Sequence, residues 1–135
     1  MNLFMSNDCH VIRLRGPWTY EAQGPDGRAI HGMLDFAGDW SEVLRERSGR
    51  PLLLKRRFGQ PGNLDPYERV TLVIEGPTLA GAAIKLNDLE LAPADGDSLC
   101  LDITSRLLPR NELELRFAAL GDRPLLSEVR LEIRS

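Results

Sequence analysis

Residues 52–58 read Leu-Leu-Leu-Lys-Arg-Arg-Phe, and 69–76 read Arg-Val-Thr-Leu-Val-Ile-Glu-Gly. Residues 82–88 follow as Ala-Ala-Ile-Lys-Leu-Asn-Asp, 99–104 as Leu-Cys-Leu-Asp-Ile-Thr, and 111–117 as Asn-Glu-Leu-Glu-Leu-Arg-Phe. Apolar residues recur at every second position in short bursts, each closed by Gly, Pro, Asn or Asp. Successive side chains on a strand point to opposite faces, so this rhythm describes strands with one apolar face and one wet face. Val70, Leu72 and Ile74 make one inward set, and Ile84 with Leu86, Leu99-Leu101-Ile103 and Leu113-Leu115-Phe117 make others.

The same pattern extends outward from this stretch. Val129, Leu131 and Ile133 supply a last strand near the C-terminus. Toward the N-terminus, His10–Leu14 is a strand stopped by Gly16-Pro17. Trp18–Ala22 and Arg28–Phe36 flank a Pro-Asp-Gly turn, a hairpin signal because Pro presets φ and Gly accepts positive φ. Asp39-Trp40-Ser41-Glu42 has the form of a capping box and predicts a short helix ending near Gly49. Residues 104–108 predict one helical turn. About eight strands with turns every ten or so residues describe an all-β, antiparallel β-sandwich of the jelly-roll type. The 135 residues are expected to form a single domain, with 1–9 as a disordered lead.

Composition narrows the function classes. The chain is 42% apolar and 27% charged, ordinary values for a globular protein. A net charge of −3 gives no footprint for nucleic acid or an anionic membrane. No apolar run is long enough to span a bilayer, and the N-terminus lacks the basic and apolar regions of a secretory signal. Cys9 and Cys100 make neither a disulfide framework nor a metal cluster, and free thiols fit a cytoplasmic location. His10 and His31 have no Cys or Glu at ligand spacing, so no metal is expected there. Asp95-Gly96-Asp97 holds a fragment of a calcium-loop pattern without its full spacing. No nucleophile elbow, phosphate loop or dinucleotide fingerprint is present, and no cofactor is expected.

Four elements in order carry a family resemblance. They are Leu14-Arg15-Gly16-Pro17-Trp18, Gly38-Asp39-Trp40, Lys55-Arg56-Arg57-Phe58, and the series Ile84-Lys85-Leu86-Asn87-Asp88, Leu101-Asp102-Ile103-Thr104, Asn111-Glu112-Leu113. In this order the chain resembles the sugar-binding domain of glycoside hydrolase family 2, a galactose-binding-domain-like jelly roll, from about Ile12 to Ile133. Asp88 stands where that pattern has Gly after the turn Asn, a position Asp tolerates at some cost. The resemblance implies a sandwich from a carbohydrate-processing context. It does not bring an activity, because the catalytic barrel of those hydrolases has no counterpart in this sequence.

The candidate ligand contacts are Trp40, Tyr67, Asn87 and Arg57. Trp40 sits among polar neighbours, where an indole can stack on the C–H face of a sugar. Tyr67 ends the loop from Gly59, and Asn87 lies at a turn. Arg56 and Arg57 point to opposite faces by strand parity. One faces inward or along a sheet edge and needs a carboxylate there, with Asp102 or Glu75 as candidates for a structural pair; an Arg bidentate to ligand hydroxyls is the functional alternative. Trp18 reads as core. The resulting expectation is a non-catalytic module whose partner is a carbohydrate. The alternative is a module that docks another protein, or a second copy, by a sheet face or edge.

Overall fold

The computed structural model describes residues 9–23, 29–34, 51–76, 79–91, 93, 96–117 and 127–135. Ten strands lie among them: β1 (His10–Arg13), β2 (Trp18–Gln23), β3 (Ala29–Leu34), β4 (Leu52–Gly59), β5 (Arg69–Glu75), β6 (Ala83–Leu86), β7 (Leu89–Glu90), β8 (Ser98–Asp102), β9 (Arg110–Phe117) and β10 (Glu128–Arg134). They form two antiparallel sheets, one in the order β1-β10-β5-β8 and one in the order β3-β2-β4-β9-β6-β7. This is the expected sandwich. The strand count exceeds the expected eight partly because β7, only two residues long, folds back on β6.

The alternation read from the sequence sets the core. Val70, Leu72, Ile74, Leu99, Val129, Leu131 and Ile133 come from the smaller sheet, and Leu52, Leu54, Ile84, Leu86, Leu113, Leu115 and Phe117 from the larger. Register keeps these residues in rows, with Leu54 beside Leu115 and Leu72 beside both Leu131 and Leu101. A one-residue slip would turn every inward side chain to solvent, so burial itself fixes the pairing. Trp18 is fully buried, as expected, and its Nε1–H donates to the Leu14 carbonyl at 2.8 Å. Tyr20 lies opposite Gly32 on the β2–β3 pair. Its ring fills the space a β-carbon at residue 32 would need.

The outer face of the smaller sheet is laced with charge. The Arg130 guanidinium reaches Glu132 at 2.8 Å, Glu75 at 3.0 Å and Glu128 at 3.2 Å. That cluster, led by the Glu132 hydrogen bond, raises the guanidinium pKa and in turn lowers that of Glu132. Val73 shares this face between Arg130 and Cys100 yet is buried, which strict alternation did not predict. Long arginine stems can cover apolar neighbours.

The Asp102-Ile103-Thr104 stretch ends β8. The Thr104 hydroxyl and amide both donate to Asp102 Oδ1, at 2.6 and 2.9 Å, while Arg69 Nε donates to Oδ2 at 2.8 Å. The Thr104 hydroxyl also accepts the Val70 amide at 2.8 Å, joining β8 to β5 as Ile103 enters the core. Residues 104–106 form the expected helical turn, of the 3-10 type. The predicted helix through Asp39–Gly49 and the Pro-Asp-Gly turn lie outside the described residues. The Gly16–Pro17 peptide bond is cis. Among the described residues no helix is long and apolar enough to cross a membrane.

Two outcomes follow. Gly32→Ala forces the Tyr20 ring from its place and should lower unfolding free energy by about 1–3 kcal/mol in urea. In a Tyr20→Ala background the same Gly32 change should cost less, because no ring then occupies the space. The Asp102 carboxyl is held down at about 2 by the Thr104 hydroxyl, the Thr104 amide and Arg69. A depressed folded pKa adds stability above the ordinary carboxylate range, lost as pH falls through 2. Urea midpoints between pH 5 and pH 2 should therefore fall less steeply for Asp102→Asn than for the parent chain.

Candidate functional site

β4 and β9 run side by side, with Phe58 opposite Asn111 and Arg57 opposite Glu112. Inward positions on β9 fall at residues 111, 113, 115 and 117, and the first of these is polar. Asn111 is 2% exposed, the one buried polar side chain among the described residues. A buried amide must find its hydrogen bonds inside the protein. Its Oδ1 accepts the Leu108 amide at 2.9 Å and an Asn87 Nδ2 proton at 3.0 Å. Its Nδ2 donates to the carbonyls of Leu108 at 2.9 Å and Phe58 at 3.4 Å.

Asn87 completes the clamp from the β6–β7 turn. Asn87 and Asp88 have φ of 53° and 66°, the left-handed pair a tight hairpin turn requires. Asp88 thus adopts the conformation in which Gly was expected. The Asn87 backbone amide donates to the Glu112 carbonyl at 2.9 Å, and Asn87 Oδ1 accepts the Glu112 amide at 2.9 Å. A further Nδ2 bond reaches the Arg106 carbonyl at 3.3 Å. Two asparagines therefore hold together the end of β4, the start of β9, the β6–β7 turn and the 104–109 segment.

The clamp frames an open cleft of about 800 Å³. Phe58, Leu108 and Pro109 provide an apolar wall, while Arg57, Asp88, Arg110 and Glu112 provide charged groups. Leu108 is half exposed although it is apolar. Arg57 is 87% exposed and its Nε donates to Glu112 at 3.2 Å, which leaves its terminal nitrogens facing solvent. With two arginines against two carboxylates, the cleft has no net charge. Its chemistry is that of paired donors and acceptors beside an apolar surface.

The sequence candidates distribute unevenly. Arg57 and Asn87 come together on the cleft. Both Nδ2 protons of Asn87 are committed to protein carbonyl groups and its Oδ1 accepts the Glu112 amide, so it shapes the rim and has only the second lone pair of Oδ1 to offer a ligand. Tyr67 is 69% exposed on the loop from β4 to β5 and does not line the cleft. Trp40 and Asp95 lie outside the described residues. Arg56 is the inward arginine of the pair, but the carboxylates expected for it are taken. Asp102 pairs with Arg69 and Glu75 with Arg130. Arg56 instead donates to the Arg57 carbonyl, its Nε is buried without a partner, and desolvation lowers its pKa. The expected structural ion pair for Arg56 is therefore corrected. Asn111, Phe58, Leu108 and Arg110 were not foreseen as site residues. A polar residue in an inward slot of an apolar strand was the available signal for Asn111.

The site sits on an antiparallel β-sandwich of four- and six-stranded sheets. No family model and no curated protein matches the sequence. Among solved structures, it is similar to an uncultured Clostridium sp. β-glucuronidase, with a TM-score of 0.68, 14% identity, and coverage of 99% of this chain and 30% of that one. A putative β-galactosidase from Bacteroides fragilis matches with a TM-score of 0.65 at 17% identity, covering 93% of this chain and 23% of that one. A Bifidobacterium dentium β-glucuronidase, solved with coumarin-3-O-glucuronide, gives 0.64 at 16% identity, covering 97% of this chain and 31% of that one. The chain thus spans less than a third of these enzymes. Likeness at such identities shows the fold alone.

Asn111→Ala should cost about 1–3 kcal/mol, because the change leaves the part-buried backbone groups of Leu108 and Phe58 without their partner. Urea unfolding measures this, and a loss below about 1 kcal/mol, the ordinary effect of a point change, would remove the clamp from the account. Amide exchange at Leu108 should accelerate in the same variant.

Proposed function

We propose that this chain is a non-catalytic β-sandwich module that binds carbohydrate in the cleft between Arg57 and Asn87. The observation that carries the reading is the pairing of an apolar wall with charged hydrogen-bonding groups on a frame held rigid by Asn111. A sugar ring presents C–H patches beside hydroxyls that both donate and accept. Phe58, Leu108 and Pro109 suit the former, and Arg57, Arg110 and Asp88 the latter. Preorganised polar groups around a concave surface are what small-ligand sites need.

The glycosidase setting of the fold supports a carbohydrate context, and the resemblance to a sugar-binding domain supports the role. Fold alone never establishes function. Both cysteines are free, which accords with a reducing compartment and the cytoplasm as the proposed location. A second reading, a protein-docking module with no sugar site, draws on the open edge of β8.

Calorimetric titration with a panel of neutral and acidic mono- and oligosaccharides tests the proposal. Arg57→Ala should weaken the best ligand about tenfold, since a hydrogen bond from a charged donor contributes about 1.5–3 kcal/mol. Heat signals indistinguishable from dilution across the panel, with the parent chain folded, would sink it.

A further inference from the structure

Antiparallel pairing decides which backbone groups of β8 face its neighbour. The Ile103 amide donates to the Val70 carbonyl at 2.9 Å, and the Asp97 carbonyl accepts the Gly76 amide at 2.9 Å. Residues of that parity, including Leu99 and Leu101, turn their N–H and C=O groups toward β5. Ser98, Cys100 and Asp102 therefore turn theirs the other way, off the edge of the sheet. β8 is the terminal strand of its sheet, and among the described residues no backbone partner meets these groups.

Natural edges are usually guarded by lysine, proline, a bulge or extreme shortness. The other end of this sheet, β1, has Arg13 on its edge, and β7 has only two residues. β8 reads Ser-Leu-Cys-Leu-Asp, without lysine, proline or a bulge, and its one charge, Asp102 at the strand end, is already paired with Arg69. Its exposed outer side chains are Ser98, Cys100 and Asp102, and Leu101 on the inner face is only half-buried.

We propose that β8 is a self-association edge, pairing antiparallel with β8 of a second copy about a two-fold axis at Cys100. The strand is self-complementary in that register. Cys100 meets its own copy, Ser98 meets Asp102, and Leu99 meets Leu101 across the seam. No like charges are opposed, because Asp102 faces a neutral serine and keeps its bond to Arg69 within its own copy. The three outward residues of each strand exchange hydrogen bonds in pairs, as a closed antiparallel ladder demands. The seam also covers Leu101. A two-fold contact of this kind is isologous and stops at the dimer. It stands independently of the sugar cleft, which lies on the other sheet.

Sedimentation equilibrium over a wide concentration range reads the result directly. The parent chain should show a reversible monomer–dimer equilibrium. Cys100→Lys sets two ammonium groups face to face at the axis and should weaken association at least about tenfold, since opposed like charges at an interface cost several kcal/mol. Val11→Lys makes the same charge change at the opposite edge of the sheet and should leave association as it was. Thermal melts of both variants establish that each is folded. A parent chain that stays monomeric throughout overturns the proposal, as does a Cys100→Lys variant that associates like the parent. Equal weakening by Val11→Lys overturns it too, because the seam would then not be confined to β8.

Discussion

The amide of Asn111 is the contact on which this end of the molecule depends. It occupies an inward slot on β9 where the following three inward positions are Leu113, Leu115 and Phe117, all buried. Its hydrogen bonds run to Phe58, Leu108 and Asn87, so three separate segments meet on one side chain. An apolar residue there would have filled the space but left those backbone groups unmet. The buried polar group is thus tolerated because it is fully satisfied, and satisfaction of that kind fixes one local geometry.

That geometry sets the walls of the cleft. β4 and β9 pair over their whole lengths, and the clamp adds the β6–β7 turn to their open ends. Arg57, Arg110 and Asp88 then project from backbone whose position is already set, beside Phe58, Leu108 and Pro109. Groups held before a ligand arrives avoid an ordering cost on binding. The exposed arginine–carboxylate pairs contribute little to stability by contrast, since surface ion pairs are worth about 0–1 kcal/mol.

Most of the fold was legible in the alternation from Leu52 to Phe117. Burial on one face forces a period of two, and a period of two survives in a single sequence. The left-handed Asn87-Asp88 turn and the helical turn after Ile103 were legible for the same reason, since local backbone geometry selects the residues. Val73 escaped because its neighbour across the sheet is an arginine from a strand distant in sequence. The site was only half legible. Arg57 and Asn87 could be singled out one by one, but their meeting depends on the β4–β9 pairing and on the clamp. Which carboxylate reaches which arginine was not legible at all. Arg69 and Arg130 won Asp102 and Glu75 through cross-strand register, a long-range property.

Backbone amide chemical-shift mapping during titration with the tightest-binding saccharide decides whether sugar enters the cleft. Saturable shifts are expected, confined to Arg57–Gly59, Asn87–Asp88 and Leu108–Glu112, with the core strands unmoved. Shifts centred elsewhere on the sandwich, or none at saturating sugar, would contradict sugar binding in the cleft.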